Sequence, residues 1–360
     1  MKKISALTAF SFAAAIALSA CGGGGSDGGK NNSSDSTGAT PPASGNSSGN
    51  LQTSVPAATY TGASAQATIF SALNAYRAAM GVGQLKQDAV LDTSASAHAL
   101  YQVNNLANGN ITSTTHDEVP TFGDYYEATP LSRARKAGAP ATEWIGEVAA
   151  VGMTQATADA SGAACIGQYL NSLYHLQAVT SIQETIGVGF QVNAGQGTYG
   201  CVLDFGETSN VSGNPVDNGL YGAGGQQMAS GAVAVTPYPS ETNVARAMVA
   251  EIPNPAPDLA SPGRPVLVRV NATTQGDVLT VTTFSMTANG SAVPARIIVP
   301  SAAMQGSTGA TADANNALAA GVAALLPLAP LSANTTYTVT FSGQRNGQPV
   351  SKTWVFTTSS

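Results

Sequence analysis

Histidine is scarce in this chain, with three residues in 360. Imidazole chemistry must therefore come from His98, His116 or His175. Charge is scarce as well. Charged residues make up 9% of the sequence, with 14 Lys and Arg against 20 Asp and Glu and a net charge of -6. Without clustered basic side chains there is no electrostatic footprint for nucleic acid, and none is expected as a partner. The apolar stretch at residues 6–17 is too short for a bilayer-spanning helix. Cysteine is limited to Cys21, Cys165 and Cys201 with no CxxC pair, no HExxH zinc motif is present, and no nucleophile elbow accompanies any serine near a histidine.

What is present begins with an address. Lys2 and Lys3 precede the 6–17 stretch, which reads as the h-region of a signal peptide over residues 1–21. Leu18-Ser19-Ala20-Cys21 resembles the lipobox of bacterial lipoproteins, which implies a lipid on Cys21 and a membrane partner through that anchor; an ordinary cleaved signal is the alternative. Gly22 follows the cysteine where an aspartate is absent, and the resemblance then implies the outer membrane of the cell envelope. Residues 22–58 are Gly, Ser, Asn, Asp and Pro with almost no large apolar side chain, so a disordered tether is expected there. Cys165 and Cys201 remain as an even pair in an oxidising compartment and are expected to form a disulfide, with a reactive thiol or a metal ligand as the minority reading.

Residues 62–80 carry Ile69, Leu73, Tyr76 and Met80 on one helical stripe, stopped by Gly81 and Gly83. A second helix is predicted over 88–107, with Leu91, Ala95 and Ala99 four apart and Asn108-Gly109 as its terminator. His98 lies within it and reads as a packed or surface residue rather than a ligand. Residues 110–140 read as a long loop with one short helix, and His116 sits near its start. Glu143 and Glu147 would share one face if their segment were helical. A third helix is predicted over 163–176, which would put His175 near its C-terminal end, where the helix dipole favours a cation. Residues 186–191 and 197–205 alternate apolar side chains around glycines and read as strands.

Asn171-Ser172-Leu173-Tyr174-His175, followed by Ile186-Gly187-Val188-Gly189-Phe190 and then by Gly197-Thr198-Tyr199 running to Asp204-Phe205-Gly206, resembles bacterial members of the CAP superfamily (SCP or PR-1-like proteins) over residues 64–206. Arg133, Gly138 and Gly146-Glu147-Val148 resemble the family stretch ending in Gly-Glu-Asn, with Val148 in place of the asparagine. Leu176 stands where the family usually carries an arginine. The resemblance implies an α/β fold, an α/β/α sandwich spanning 59–210, with a cleft formed by His116, Glu147 and His175; Glu143 rivals Glu147, and Glu118 and Glu127 compete for a second acidic position. Two imidazoles and a carboxylate suit a borderline divalent ion such as Zn²⁺.

Residues 211–231 are rich in Gly, Asn and Gln and read as a linker. Residues 232–360 read as an all-β region, with strands predicted at 266–270, 278–284, 295–299, 337–341 and 353–357 and a hairpin turn at Asn346-Gly347. Pro330-Leu331 leading into Thr336-Tyr337-Thr338-Val339 resembles a bacterial Ig-like sandwich. It holds no histidine or cysteine, so catalysis is not expected there. The expected function is a surface-anchored protein whose cleft binds a small apolar or lipid-like ligand or an envelope partner, with a divalent metal as a candidate cofactor. A metal-dependent peptidase or other hydrolase, and an adhesion protein with a vestigial cleft, are the alternatives.

Overall fold

A computed structural model describes residues 49–219, 224–271 and 277–360, and these described residues belong to one compact unit. Cys21 with its lipobox, and most of the expected tether, lie outside the described residues. The tether was expected to reach residue 58, but packing begins earlier: Leu51, Val55 and Ala58 rest on the folded body, and the Gln52 side-chain amide donates to the carbonyls of Gln84 and Glu184.

The first part of the body contains α1 (Ala65–Met80), β1 (Lys86–Gln87), α2 (Ala89–Ala107), α3 (Pro130–Ala137), β2 (Trp144–Met153), α4 (Ala158–Leu170), α5 (Tyr174–Val179), β3 (Thr185–Asn193) and β4 (Thr198–Glu207). Each of the first two helices starts where a side-chain cap is available: Ser64 accepts from the Ala67 amide, and Asp88 accepts from Val90 and Leu91. Gly81, at φ 87°, ends α1 in the left-handed region. The sheet runs β1-β3-β4-β2, parallel only between β1 and β3. Ile69, Phe70 and Leu73 of α1 and Ile166 and Tyr169 of α4 pack on one face, against Val148, Val188, Leu203 and Phe205. Ala95 and Ala99 of α2 cover the other face against Ala149 and Val202, with α3 beside them through Ala134. The result is an α/β/α sandwich.

Close approach of α2 depends on glycine. A Cβ on Gly187, Gly189 or Gly200 would sit 2.0 Å from Leu91 C, 2.1 Å from Ala95 O and 2.4 Å from Ala99 O, respectively. Those three contacts recur every four residues along α2, so the helix backbone lies directly on a bare strip of sheet. The Cys165–Cys201 disulfide ties α4 to β4 on the opposite face. A crosslink closing 36 residues contributes about 3–4 kcal/mol on the chain-entropy view.

Two local expectations need correction. The predicted 163–176 helix breaks after Leu170, because the Ser172 hydroxyl donates back to the carbonyls of Gln168 and Tyr169 and chain direction changes at Asn171. His175 consequently lies in the first turn of α5 rather than at the end of a long helix. Glu147 is in a strand, β2, so it has no helical i, i+4 relation to Glu143.

The second part continues with β5 (Ala234–Thr236), β6 (Glu241–Val244), β7 (Val266–Arg269), β8 (Leu279–Ala288), β9 (Ser291–Ala292), β10 (Ala295–Val299), β11 (Ala310–Ala312), β12 (Val322–Pro327), β13 (Thr336–Arg345) and β14 (Gln348–Thr358). They form two five-stranded sheets, ordered β11-β10-β12-β7-β5 and β6-β14-β13-β8-β9. Val266, Val268, Ala323 and Leu325 of the first sheet pack against Phe284, Val339, Phe341 and Trp354 of the second. Asn346 and Gly347, both at positive φ, close the β13–β14 hairpin with Arg345 facing Gln348.

The first of these sheets is buried on both faces. Leu267, Val322, Ala324 and Leu326 point away from its partner sheet and form one core with Tyr76, Met80, Leu173, Tyr174 and Leu176 of the α/β/α part. Polar ties cross the same junction: Arg264 Nε donates to Asn171 Oδ1 at 2.8 Å, and Arg269 Nη2 donates to the Gln177 carbonyl at 2.7 Å. Within the expected 211–231 linker, Met228 joins this core, and the buried Gln226 amide donates to the carbonyls of Gln84 and Gln183.

Candidate functional site

A cleft of about 620 Å³ opens beside the carboxy-terminal half of β2. His116, in the loop after α2, and His175, in α5, both line it, together with Tyr169, Ala150 and Val151 and with Val249, Ile252 and Pro253 from the second part. The cleft therefore draws on both parts of the chain.

Behind His116 stands a buried ionic network. Glu147 points from β2 toward α2 and α3 with its side chain fully shielded. Its Oε2 accepts from Arg133 Nη2 at 2.6 Å, and its Oε1 lies 2.8 Å from His116 Nδ1 and 3.6 Å from His98 Nε2. Burial alone would raise the Glu147 carboxyl, but Arg133, His98 and His116 hold it well below the usual carboxylate range. The His116 imidazole is pulled down by burial and pushed up further by the hydrogen bond and charge of Glu147, so it binds its proton more tightly than a free histidine. Asp204 faces Glu147 across the β2–β4 ladder, and burial together with that neighbouring charge raises it far above an ordinary aspartate. Arg133 also donates to the His116 carbonyl at 2.9 Å, fixing the loop as well as the acid.

His98 is fully buried within this network, with Nδ1 2.9 Å from Glu118 Oε1 and Nε2 2.8 Å from the Thr115 carbonyl. Of the packed and surface readings, the packed one applies. Glu118 is used there and in accepting from the Tyr126 amide, while Glu127 sits near the surface, 3.9 Å from Lys136. Neither lines the cleft. Glu143 is buried near the start of β2, apart from the cleft.

The carboxylate that meets His175 was missed in sequence. It belongs to Glu251, whose Oε2 lies 2.8 Å from His175 Nδ1 and whose oxygens also accept from the amides of Leu173, Tyr174 and His175. Glu251 follows His175 by 76 residues and lies in no recognisable motif, so no local signal could have paired them. In each cleft histidine Nδ1 is held by a buried carboxylate, which leaves Nε2 as the nitrogen available to a ligand. Side-chain exposure is 42% for His116 and 21% for His175, enough for either ring edge to be reached.

This arrangement bears on the chemistry expected of the site. Glu147 Oε2 is held by Arg133 and Oε1 by His116 Nδ1, while the Nδ1 of His175 meets Glu251 instead, so Glu147 and His175 do not face a common point through these atoms. Among the described residues no group of three His, Cys, Asp or Glu is placed to hold a metal ion. A serine triad fails on geometry: Ser172 Oγ, at 3.3 Å, and Glu251 approach the same nitrogen of His175, whereas a relay needs them on opposite nitrogens.

The first part of the body is thus a four-stranded sheet between two helical layers, with a two-histidine cleft beside β2. Residues 70–205 match the model of the CAP family, described as the cysteine-rich secretory protein family, and this part of the chain is a CAP domain. No curated protein matches the chain. Among solved structures, an outer surface protein from Borrelia burgdorferi is similar at 20% identity, covering 38% of this chain and 88% of that one with a TM-score of 0.29. Among the described residues no helix is long and apolar enough to cross a membrane.

Proposed function

We propose that this protein is an envelope-anchored binding protein whose cleft takes a small, partly apolar or lipid-like ligand, with the ligand's polar end at His116 and His175. One observation carries the reading: two partly exposed imidazoles, each oriented through Nδ1 by a buried carboxylate, face a cleft whose remaining walls include Val151, Val249, Ile252 and Pro253. Apolar walls with a few fixed polar groups are what small-molecule sites require. The lipobox residues ending at Cys21 support anchoring at the cell envelope, and replacement of Cys21 by Ser should abolish incorporation of labelled palmitate.

The test is titration of the full chain with a dansyl-labelled fatty acid, read by fluorescence. Saturable binding weakened at least tenfold in both His116→Ala and His175→Ala, about 1.4 kcal/mol each, is the expected outcome. Absence of saturable binding to the parent, or equal binding by both variants, removes this reading.

A further inference from the structure

We propose that Glu251 is a positioning residue of the cleft: it sets His175 in the Nδ1–H tautomer with Nε2 presented to ligand, so that the CAP domain's binding site is completed by the β-rich region that follows it. The proposal deepens the binding reading and rests on it, but its first test does not require a ligand. Glu251 lies outside the 70–205 family match. Its side chain is 1% exposed and enters the site from the segment that also supplies Val249, Ile252 and Pro253 to the cleft lining.

The hydrogen-bond inventory decides the tautomer. Glu251 Oε1 accepts from the amides of Leu173 at 2.6 Å and Tyr174 at 2.9 Å, and Oε2 accepts from the His175 amide at 3.1 Å. The remaining neighbour of Oε2 is His175 Nδ1 at 2.8 Å, and a ring nitrogen facing a carboxylate oxygen carries the proton. Ser172 Oγ also lies 3.3 Å from Nδ1, and with its single proton directed at the carbonyls of Gln168 and Tyr169 it meets the ring as an acceptor, which again favours Nδ1–H. Tyr169 fixes the plane of the ring, with centroids 5.3 Å apart. Nε2 is thus the acceptor of the neutral ring, aimed where a ligand hydroxyl, acid or cation would meet it. The same carboxylate holds the first turn of α5 through three backbone amides, so it fixes both where His175 stands and which nitrogen it presents.

Glu251→Gln separates these roles. An amide offers one accepting and one donating end. Keeping the Leu173 and Tyr174 bonds turns the NH₂ toward Nδ1, which then becomes an acceptor and moves the ring proton to Nε2. With three histidines in the chain, long-range ¹H–¹⁵N spectra of the full-length protein give three assignable ring patterns. We expect Nδ1–H for neutral His175 in the parent and Nε2–H in Glu251→Gln, with the His98 and His116 patterns unmoved as controls on the fold. Binding of the dansyl-labelled fatty acid should fall at least tenfold in the variant. An Nε2–H tautomer in the parent overturns the proposal whether or not the variant folds. So does a folded Glu251→Gln protein that keeps Nδ1–H. If the parent shows the expected tautomer switch but never binds the fatty acid, the binding reading fails and the positioning role of Glu251 stands.

Discussion

The buried carboxylates of the CAP domain divide by their neighbours. Glu147 has Arg133 and His116 against it and is held low; Glu207 has neither oxygen hydrogen-bonded, and burial, with Glu184 nearby, pushes it up to about 8. Glu143 is raised to about 7, mainly by burial and secondarily by Asp88. A carboxyl raised in the folded state binds more protons there than in the unfolded chain, so its contribution is favourable at low pH and is lost as pH rises through the folded value. Glu207 and Glu143 should therefore erode stability between about pH 5 and pH 8. Glu147 acts oppositely: its contribution is present above the ordinary carboxylate range and lost as pH falls below it. Thermal melts are expected to show a maximum near pH 5. Glu207→Gln should flatten the loss toward pH 8 and raise stability there by about 2–3 kcal/mol, less than the shift alone implies because the buried amide also lacks partners. A variant that melts like the parent at pH 8 would mean that the Glu207 carboxyl is not the source of the slope.

At the scale of elements, the bare strip under α2 makes the sharpest prediction. In Gly189→Ala the new methyl would meet the Ala95 carbonyl, a backbone atom that moves only if the helix moves. The expected loss is about 1–3 kcal/mol in urea unfolding, at the scale of core overpacking, with a similar loss for Gly187→Ala. Unchanged midpoints would show that α2 lifts away freely. The two long helices were legible because their stripes at Ile69, Leu73 and Tyr76 and at Leu91, Ala95 and Ala99 agree with caps at Ser64 and Asp88. The β13–β14 hairpin was legible from alternation and Asn346-Gly347. Strand β2 was not, since Glu147 within it is a buried acid that breaks the alternation a strand shows when one face is wet. Strand β12 escaped for a different reason: Val-Ala-Ala-Leu-Leu-Pro is apolar throughout because both faces of its sheet are covered, and such a run has no period to detect. The pairing of His116 with Glu147 was approached only through resemblance, which put both in one cleft although Glu147 lies behind it, while the Glu251 contact is a tertiary event with no sequence pattern.

For the whole molecule, the junction between the two parts decides how they behave. A CAP domain followed by an independent β-sandwich would unfold in two steps and tolerate separation. Here Tyr76, Met80, Leu173, Tyr174 and Leu176 are buried against Leu267, Ile298, Val322 and Leu326, so the CAP domain supplies the second cover of a sheet whose other face is the sandwich core. Covering one apolar face of each part in this way couples their stabilities, because neither can unfold without exposing the other's surface. Calorimetry of the full chain should give a single transition. A fragment ending at residue 219 should expose that patch, bind a hydrophobic dye and melt at least ten degrees lower, a drop that corresponds to roughly 2.5–5 kcal/mol for a domain of this size. It should also lose the cleft, since Val249, Glu251, Ile252 and Pro253 leave with the β region. Two resolved transitions in the parent, or a fragment that melts and binds as the full chain does, would make the shared core a passive contact. A single transition, with cleft binding lost on truncation, would mean that the β region is a structural part of the binding site.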